Sequence, residues 1–91
     1  SRIPVMIESS ATQAILSGHG IEKPTLDYLP ENHNINLGNR VFTSGKEGIF
    51  EPGIPVGKTI IENKQIKVSL FSALNQLLFV NVSLGNVIKN K

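Results

Sequence analysis

The sequence predicts an all-β domain, a small β-barrel of about six or seven short strands. Apolar and polar residues alternate with a period of two in several short runs, and glycine and proline separate those runs (8 Gly and 5 Pro in 91 residues). Aromatic residues are scarce, so the core must be built from Ile, Leu and Val, which favour strands. A chain of this length forms one modest core, and we expect residues 1–91 to be a single domain.

The first strand is predicted over residues 2–8, where Ile3, Val5 and Ile7 share the inward face. Pro4 cannot donate a ladder hydrogen bond, which argues for an edge strand or a strand start. A polar turn over residues 9–12 leads to a second strand over residues 13–17. A third candidate, residues 25–29, follows one proline and ends at the next.

The last third of the chain begins with a predicted hairpin of residues 58–62 and 66–70, joined across residues 63–65. Lys67 and the other lysines of this hairpin, Lys58 and Lys64, are interpreted as a solvated face, with a surface for an acidic partner as the alternative. Residues 72–78 have helical spacing for one or two turns, and residues 79–84 read as a closing strand. The periodicity alone fits an OB-like or an SH3-like barrel equally well.

The central stretch, residues 40–57, is the most specific part of the sequence. A short strand, residues 41–43, is followed by closely spaced turn residues: Gly45, Gly48, Pro52, Gly53, Pro55 and Gly57. Glycine permits unusual backbone angles and proline fixes one torsion, so this spacing predicts a defined loop path. The large apolar residues of the loop either tuck beneath it or face a partner.

This stretch, R-V-x-T-S-G-x-x-G-x-F-x-P-G-x-P-V-G, resembles the signature of the rod-shape-determining MreC family. The matching positions are Val41, Thr43, Ser44, Gly45, Gly48, Phe50, Pro52, Gly53, Pro55, Val56 and Gly57. Weaker similarity extends through residues 1–5, 14–18 and 79–84. One departure is Asn39, where the family usually has an acidic residue.

The resemblance implies a non-catalytic scaffold domain that organises the peptidoglycan elongation machinery by protein–protein binding. It implies a barrel similar to one lobe of a chymotrypsin-like protease, here the second barrel of the periplasmic region. The chain starts on strand-like sequence without Met, and we interpret it as an excised C-terminal part of a longer protein anchored in the inner membrane. The implied partners are a class B penicillin-binding transpeptidase, the MreB and MreD complex through the missing N-terminal part, and other MreC copies in a homo-oligomer.

Within the central stretch we assign two kinds of site residue. The structural loop motif consists of Thr43, Ser44, Gly45, Gly48, Pro52, Gly53, Pro55 and Gly57. The candidate partner contacts are Ile49, Phe50 and Ile54, because apolar residues on a rigid loop make good binding features.

His19, Asp27 and Ser44 occur in the order that chymotrypsin-type proteases use, but that triad needs two barrels, and these residues lie within one small domain. We therefore expect no enzyme activity and no cofactor. The two histidines, His19 and His33, lack the paired spacing of a metal site. The net charge of +2 with scattered lysines argues against nucleic acid as a partner. The alternative function is a ligand-binding β-barrel module for a glycan or nucleic acid, without catalysis.

Overall fold

Six antiparallel strands form one closed barrel in the computed structural model, which describes residues 2–72. The strands are β1 (Arg2–Ile7), β2 (Thr12–His19), β3 (Glu22–Asp27), β4 (Arg40–Thr43), β5 (Pro55–Glu62) and β6 (Gln65–Leu70). Their order around the barrel is β1-β2-β3-β6-β5-β4, and pairing between β4 and β1 closes it. The predicted all-β barrel is confirmed.

The core is formed by the inward faces of these strands. It consists of Ile3, Val5, Ile7, Ala14, Leu16, Leu26, Val41, Val56 and Val68, all of them buried. Most of these side chains are aliphatic and branched, and they recur at every second position of β1 and β2, as the alternation predicts. Leu29, Ile35, Phe50, Ile66 and Leu70 pack against this core from its margins.

Tight hairpins set the register of the longest pairings. In the β5–β6 hairpin, residues pair from Gly57 with Leu70 to Glu62 with Gln65. The connection is only two residues, Asn63 and Lys64, and both have positive φ (54° and 63°), which is the pattern of a type I′ turn. Gln65 therefore belongs to the strand and not, as predicted, to the turn.

The strand-edge alternative for Pro4 is wrong. β1 is paired on both sides, with β2 through six residue pairs and with β4 from Val5 to Ile7. Pro4 opposes Ile15 of β2, and its carbonyl oxygen accepts a hydrogen bond from the Ser44 amide at 3.1 Å. The missing N–H is tolerated because the β4 pairing begins one residue later.

The predicted boundaries of two strands are also wrong. β2 runs on to His19, and β3 begins at Glu22 and ends at Asp27, so the proline expected before the third strand lies inside it. The extension is explained by the hairpin itself, because His19 still pairs with Glu22 after a register shift. A bulge of this kind lets a ladder continue past a glycine.

Lys67 is buried (8% exposed), although it was interpreted as part of a solvated face. Its ammonium group lies 3.2 Å from Glu62 Oε1, and Lys23 of β3 lies 3.9 Å from the other oxygen of the same carboxylate. The residue pair of Thr25 with Lys67 is the one register pair that joins β3 to β6. A cluster of ion pairs therefore lies beside the pairing between β3 and β6.

The predicted helical turn at residues 72–78 and strand at residues 79–84 fall, apart from Ser72, outside the described residues. Within residues 2–72, no helix is long and apolar enough to span a membrane.

Candidate functional site

The central loop, residues 44–54, is held by a single threonine at the end of β4. Thr43 is buried, and its hydroxyl donates to the Glu51 carbonyl at 2.6 Å and accepts from the Ile54 amide at 2.9 Å. Its backbone amide donates to the Ile54 carbonyl, and its carbonyl accepts from the Gly53 amide. The amide, carbonyl and hydroxyl of Thr43 thus make four hydrogen bonds to residues 51–54, and the two made by the hydroxyl explain why this motif position carries a threonine.

The loop is folded tightly on itself. A Cβ atom at Gly45 would lie 2.9 Å from the Pro52 Cβ, so the glycine allows the proline ring to pack against the backbone. Ser44 Oγ accepts a hydrogen bond from the Lys46 amide at 3.2 Å, and a 3₁₀ turn, Lys46–Gly48, follows. The motif residues are therefore brought together as one local structure.

The three candidate partner contacts differ in exposure. Ile49 is 39% exposed, whereas Phe50 is half-buried and packs against the core. Ile54 is half-buried, and its backbone is bonded to Thr43. Ile49 is the apolar residue of this loop that the structure leaves most open to another molecule.

A second turn, at residues 36–39, is held in the same way by Thr59 of β5. The Thr59 hydroxyl donates to the Asn36 carbonyl at 2.7 Å and accepts from the Asn39 amide at 3.0 Å. The Thr59 amide donates to the Asn39 carbonyl, and its carbonyl accepts from the Gly38 amide, both at 2.9 Å. We call residues 36–39 the Leu37 turn and residues 51–54 the Pro52 turn.

The two turns form a repeated unit that sequence reasoning missed. Each has glycine at its third position with φ near 80° (Gly38 80°, Gly53 82°), which suits a type II turn. The Leu37 turn precedes β4 and is bonded to Thr59 of β5, whereas the Pro52 turn precedes β5 and is bonded to Thr43 of β4. The two strands thus each hold the turn that precedes the other. The detectable signal is the pattern x-x-Gly-x-x-Val followed by Thr, present at residues 36–43 and 51–59. The repeat is hard to see because a register shift in the β4–β5 pairing sets the two threonines one residue out of step.

Asn39 departs from the acidic residue usual in the family, but its acceptor is used. The Asn39 side-chain oxygen accepts a hydrogen bond from the Asn36 amide at 2.9 Å. A carboxylate could accept the same hydrogen bond, so asparagine at this position retains the acceptor without the charge.

The three residues in protease order are not assembled. Asp27 accepts hydrogen bonds from Ser17 at 2.6 Å and Thr25 at 3.1 Å, and His19 Nε2 lies 2.9 Å from the Thr25 hydroxyl. The Ser44 hydroxyl instead accepts a hydrogen bond from the Lys46 amide, and the Ser44 amide donates to the Pro4 carbonyl of β1. His19 and Asp27 thus belong to a polar network across β2 and β3, in which the Thr25 hydroxyl is hydrogen-bonded to both.

No metal centre is apparent in the described part of the chain. Residues 2–72 contain no group of three His, Cys, Asp or Glu side chains that could hold a metal ion. His33 lies in the loop after β3, and its Nδ1 accepts a bond from the Ile35 amide at 3.4 Å.

Comparison with known proteins identifies the family. The family model "Rod shape-determining protein MreC, barrel core" matches residues 1–85. A cell shape-determining protein MreC from Caulobacter vibrioides is 47% identical over 60 residues, which are 66% of this chain and 17% of that protein. Another, from Cereibacter sphaeroides, is 32% identical over 83 residues, 90% of this chain and 28% of that protein. No solved structure matches the chain.

The chain thus spans less than a third of the length of either relative. The matched region contains the closed barrel together with the central loop and both threonine-held turns. This chain belongs to the MreC family of cell shape-determining proteins.

Proposed function

We propose that this chain is a non-catalytic scaffold domain of a bacterial cell-shape determinant. It works in the periplasm, as part of a longer protein anchored in the inner membrane, and organises the peptidoglycan elongation machinery. Its contribution is binding: it offers a rigid surface to partner proteins and to other copies of itself.

The observation that carries this proposal is the fixed conformation of the central loop. Thr43 binds residues 51–54 through four hydrogen bonds, and the Gly45–Pro52 packing closes the loop from the other side. Ile49 is presented on this rigid frame. A preorganised loop loses little conformational entropy when it binds another molecule, which favours a binding role.

The proposed partners follow from family membership. They are a class B penicillin-binding transpeptidase, other MreC copies in a homo-oligomer, and the MreB and MreD complex, which would be reached through the part of the protein that precedes this chain. The exposed contact position on the central loop makes the transpeptidase the partner to test first.

The test is size-exclusion chromatography with light scattering on the chain, alone and mixed with the soluble part of the matching transpeptidase. Ile49→Glu places a charge at the proposed contact and should abolish co-elution. Ile21→Glu is the matched control, since Ile21 lies at the tip of the β2–β3 hairpin and is fully exposed (105%). This control variant should co-elute like the unchanged chain.

Two outcomes would contradict the proposal. If Ile49→Glu and Ile21→Glu both co-elute as well as the unchanged chain, the central loop is not the contact. If the unchanged chain stays monomeric and ignores the transpeptidase, this domain does not act as the binding scaffold. Circular dichroism of each variant separates lost binding from lost folding.

The alternative, a barrel that binds a glycan or nucleic acid by stacking, is less well supported. A stacking site needs several exposed aromatic rings. Among residues 2–72 the exposed aromatic residues are Tyr28 and Phe71, and the Arg2 guanidinium lies over one face of the Tyr28 ring, 5.2 Å from its centroid.

A further inference from the structure

An open groove of about 540 Å³ lies on the outside of the barrel, beside the Leu37 turn. Its lining includes Leu37, Ile61 and Phe71, which are 63%, 58% and 43% exposed. Ile60 and Leu70 add further apolar surface. Large apolar side chains gathered in one concave patch mark an interaction site more often than singly scattered ones.

The floor of the groove is formed by β5, which pairs with β6 as far as Glu62. On its other side β5 pairs with β4 only from Pro55 to Lys58, and beyond that Thr59 is bonded to the Leu37 turn. The apolar lining suits contacts made by the side chains of a partner. The Leu37 turn forms one wall and is fixed to the floor through Thr59.

Two basic residues are paired across β4 and β5, and one of them lines the groove. Lys58 lines the groove, and its register partner on β4 is Arg40. Both are exposed, and neither forms an ion pair within residues 2–72. The nearby Glu8 carboxylate accepts a hydrogen bond from the Arg40 backbone amide at 3.1 Å. Like charges directly opposite one another on paired strands destabilise a sheet, and an incoming anion would relieve this repulsion.

We propose that this groove docks a short segment of a partner protein that carries two or three apolar side chains next to a carboxylate. The apolar side chains contact Leu37, Ile61 and Phe71, and the carboxylate pairs with Lys58 and Arg40. The inference rests on the proposed scaffold function in assuming a protein partner, but it concerns a surface separate from the central loop.

A protein segment fits this surface better than an anionic membrane does. The site is concave, so it receives a projecting ridge of side chains, whereas a lipid surface is met by projecting residues on a broad basic patch. Two cations side by side suit one carboxylate more closely than an extended sheet of headgroups.

The test is an NMR titration of the isotope-labelled chain with a synthetic amphipathic peptide of about twelve residues, bearing leucines on one face and a glutamate beside them. A second peptide carries lysine in place of that glutamate. Amide shifts should concentrate at Leu37, Ile61, Ser69 and Phe71. Lys58→Glu should weaken the acidic peptide about fivefold and should bind the basic peptide more tightly than the unchanged chain does.

A matched control is Lys64→Glu, which reverses a charge on the same hairpin outside the groove lining and should leave both peptides unaffected. Shifts elsewhere on the barrel, or equal effects of the two charge reversals, would overturn the proposal. So would a Lys58-dependent response to phosphatidylglycerol micelles with none to either peptide, which would assign the groove to lipid. Because no transpeptidase is present, this result is independent of the co-elution test.

Discussion

The Leu37 turn and the Pro52 turn are fixed by the same four hydrogen bonds, yet their second residues have different neighbours. In the Pro52 turn, the second residue is an exposed proline whose ring lies against Gly45 of the same loop. In the Leu37 turn, the same position is a leucine, exposed at the wall of the groove. The comparison teaches that one backbone device serves two purposes, closing a loop in one place and displaying a side chain in the other.

The largest effect should come from Gly57→Ala, which damages the strand that both turns depend on. A Cβ atom there would lie 2.4 Å from the Ser69 carbonyl oxygen and 2.7 Å from a Val68 methyl group. Because one of these neighbours is backbone, we expect a loss of about 3 kcal/mol or more in the free energy of unfolding. Chemical denaturation measures it.

The control for that change is Gly38→Ala in the Leu37 turn. A Cβ atom at Gly38 would meet nothing within 4 Å, so only the positive φ opposes it. The expected cost is about 1 kcal/mol. Equal losses in the two alanine variants would contradict the close-approach argument for Gly57.

Removing either threonine hydroxyl should loosen one turn and leave the other intact. Thr43→Val and Thr59→Val each leave a carbonyl and an amide without partners, at an expected cost of about 1–3 kcal/mol. Hydrogen exchange reports the location: Thr43→Val should speed exchange at the Ile54 amide, and Thr59→Val at the Asn39 backbone amide, since these amides donate to the hydroxyls that are removed.

Thr43→Ser and Thr59→Ser keep the hydroxyl and serve as controls, with smaller losses expected. If either valine variant accelerates exchange equally at Ile54 and at Asn39, the turns are not independent units. That result would replace the picture of two local devices with one cooperative β4–β5 unit.

The smallest effect should come from Leu37→Pro, which gives the Leu37 turn the proline of the other. Proline is favoured at this position of a type II turn, and no hydrogen bond is made by the Leu37 amide in the described part of the chain. We expect a gain of about 0.5 kcal/mol from the reduced entropy of the unfolded chain. Thermal unfolding measures the gain, and a loss would show that the two turns differ in backbone geometry.

Much of the fold could be predicted from local sequence. Ile3, Val5 and Ile7 alternate so regularly that β1 and its inward face were identified correctly, and the β5–β6 hairpin was identified from its alternation. The central loop was predicted because glycine and proline act on their own backbone. Those signals need no knowledge of what lies across the barrel.

The features that were missed depend on partners distant in sequence. Lys67 reads as an exposed lysine until the carboxylate of Glu62 and the seam with β3 are placed beside it. Thr59 looks like one more strand residue until the turn it binds is folded against it. The groove is likewise lined by residues from three separate stretches of the chain, so no single run of sequence predicts it.

The pairing between β3 and β6, with its single register pair, affects the order in which the barrel assembles. The hairpins β1–β2 and β5–β6 join neighbouring segments, so closing their loops costs little chain entropy. Pairing of β3 with β6 joins segments separated by β4 and β5, and one register pair forms there. We therefore expect closure between β3 and β6 to be a late step of folding, after the two hairpins have formed.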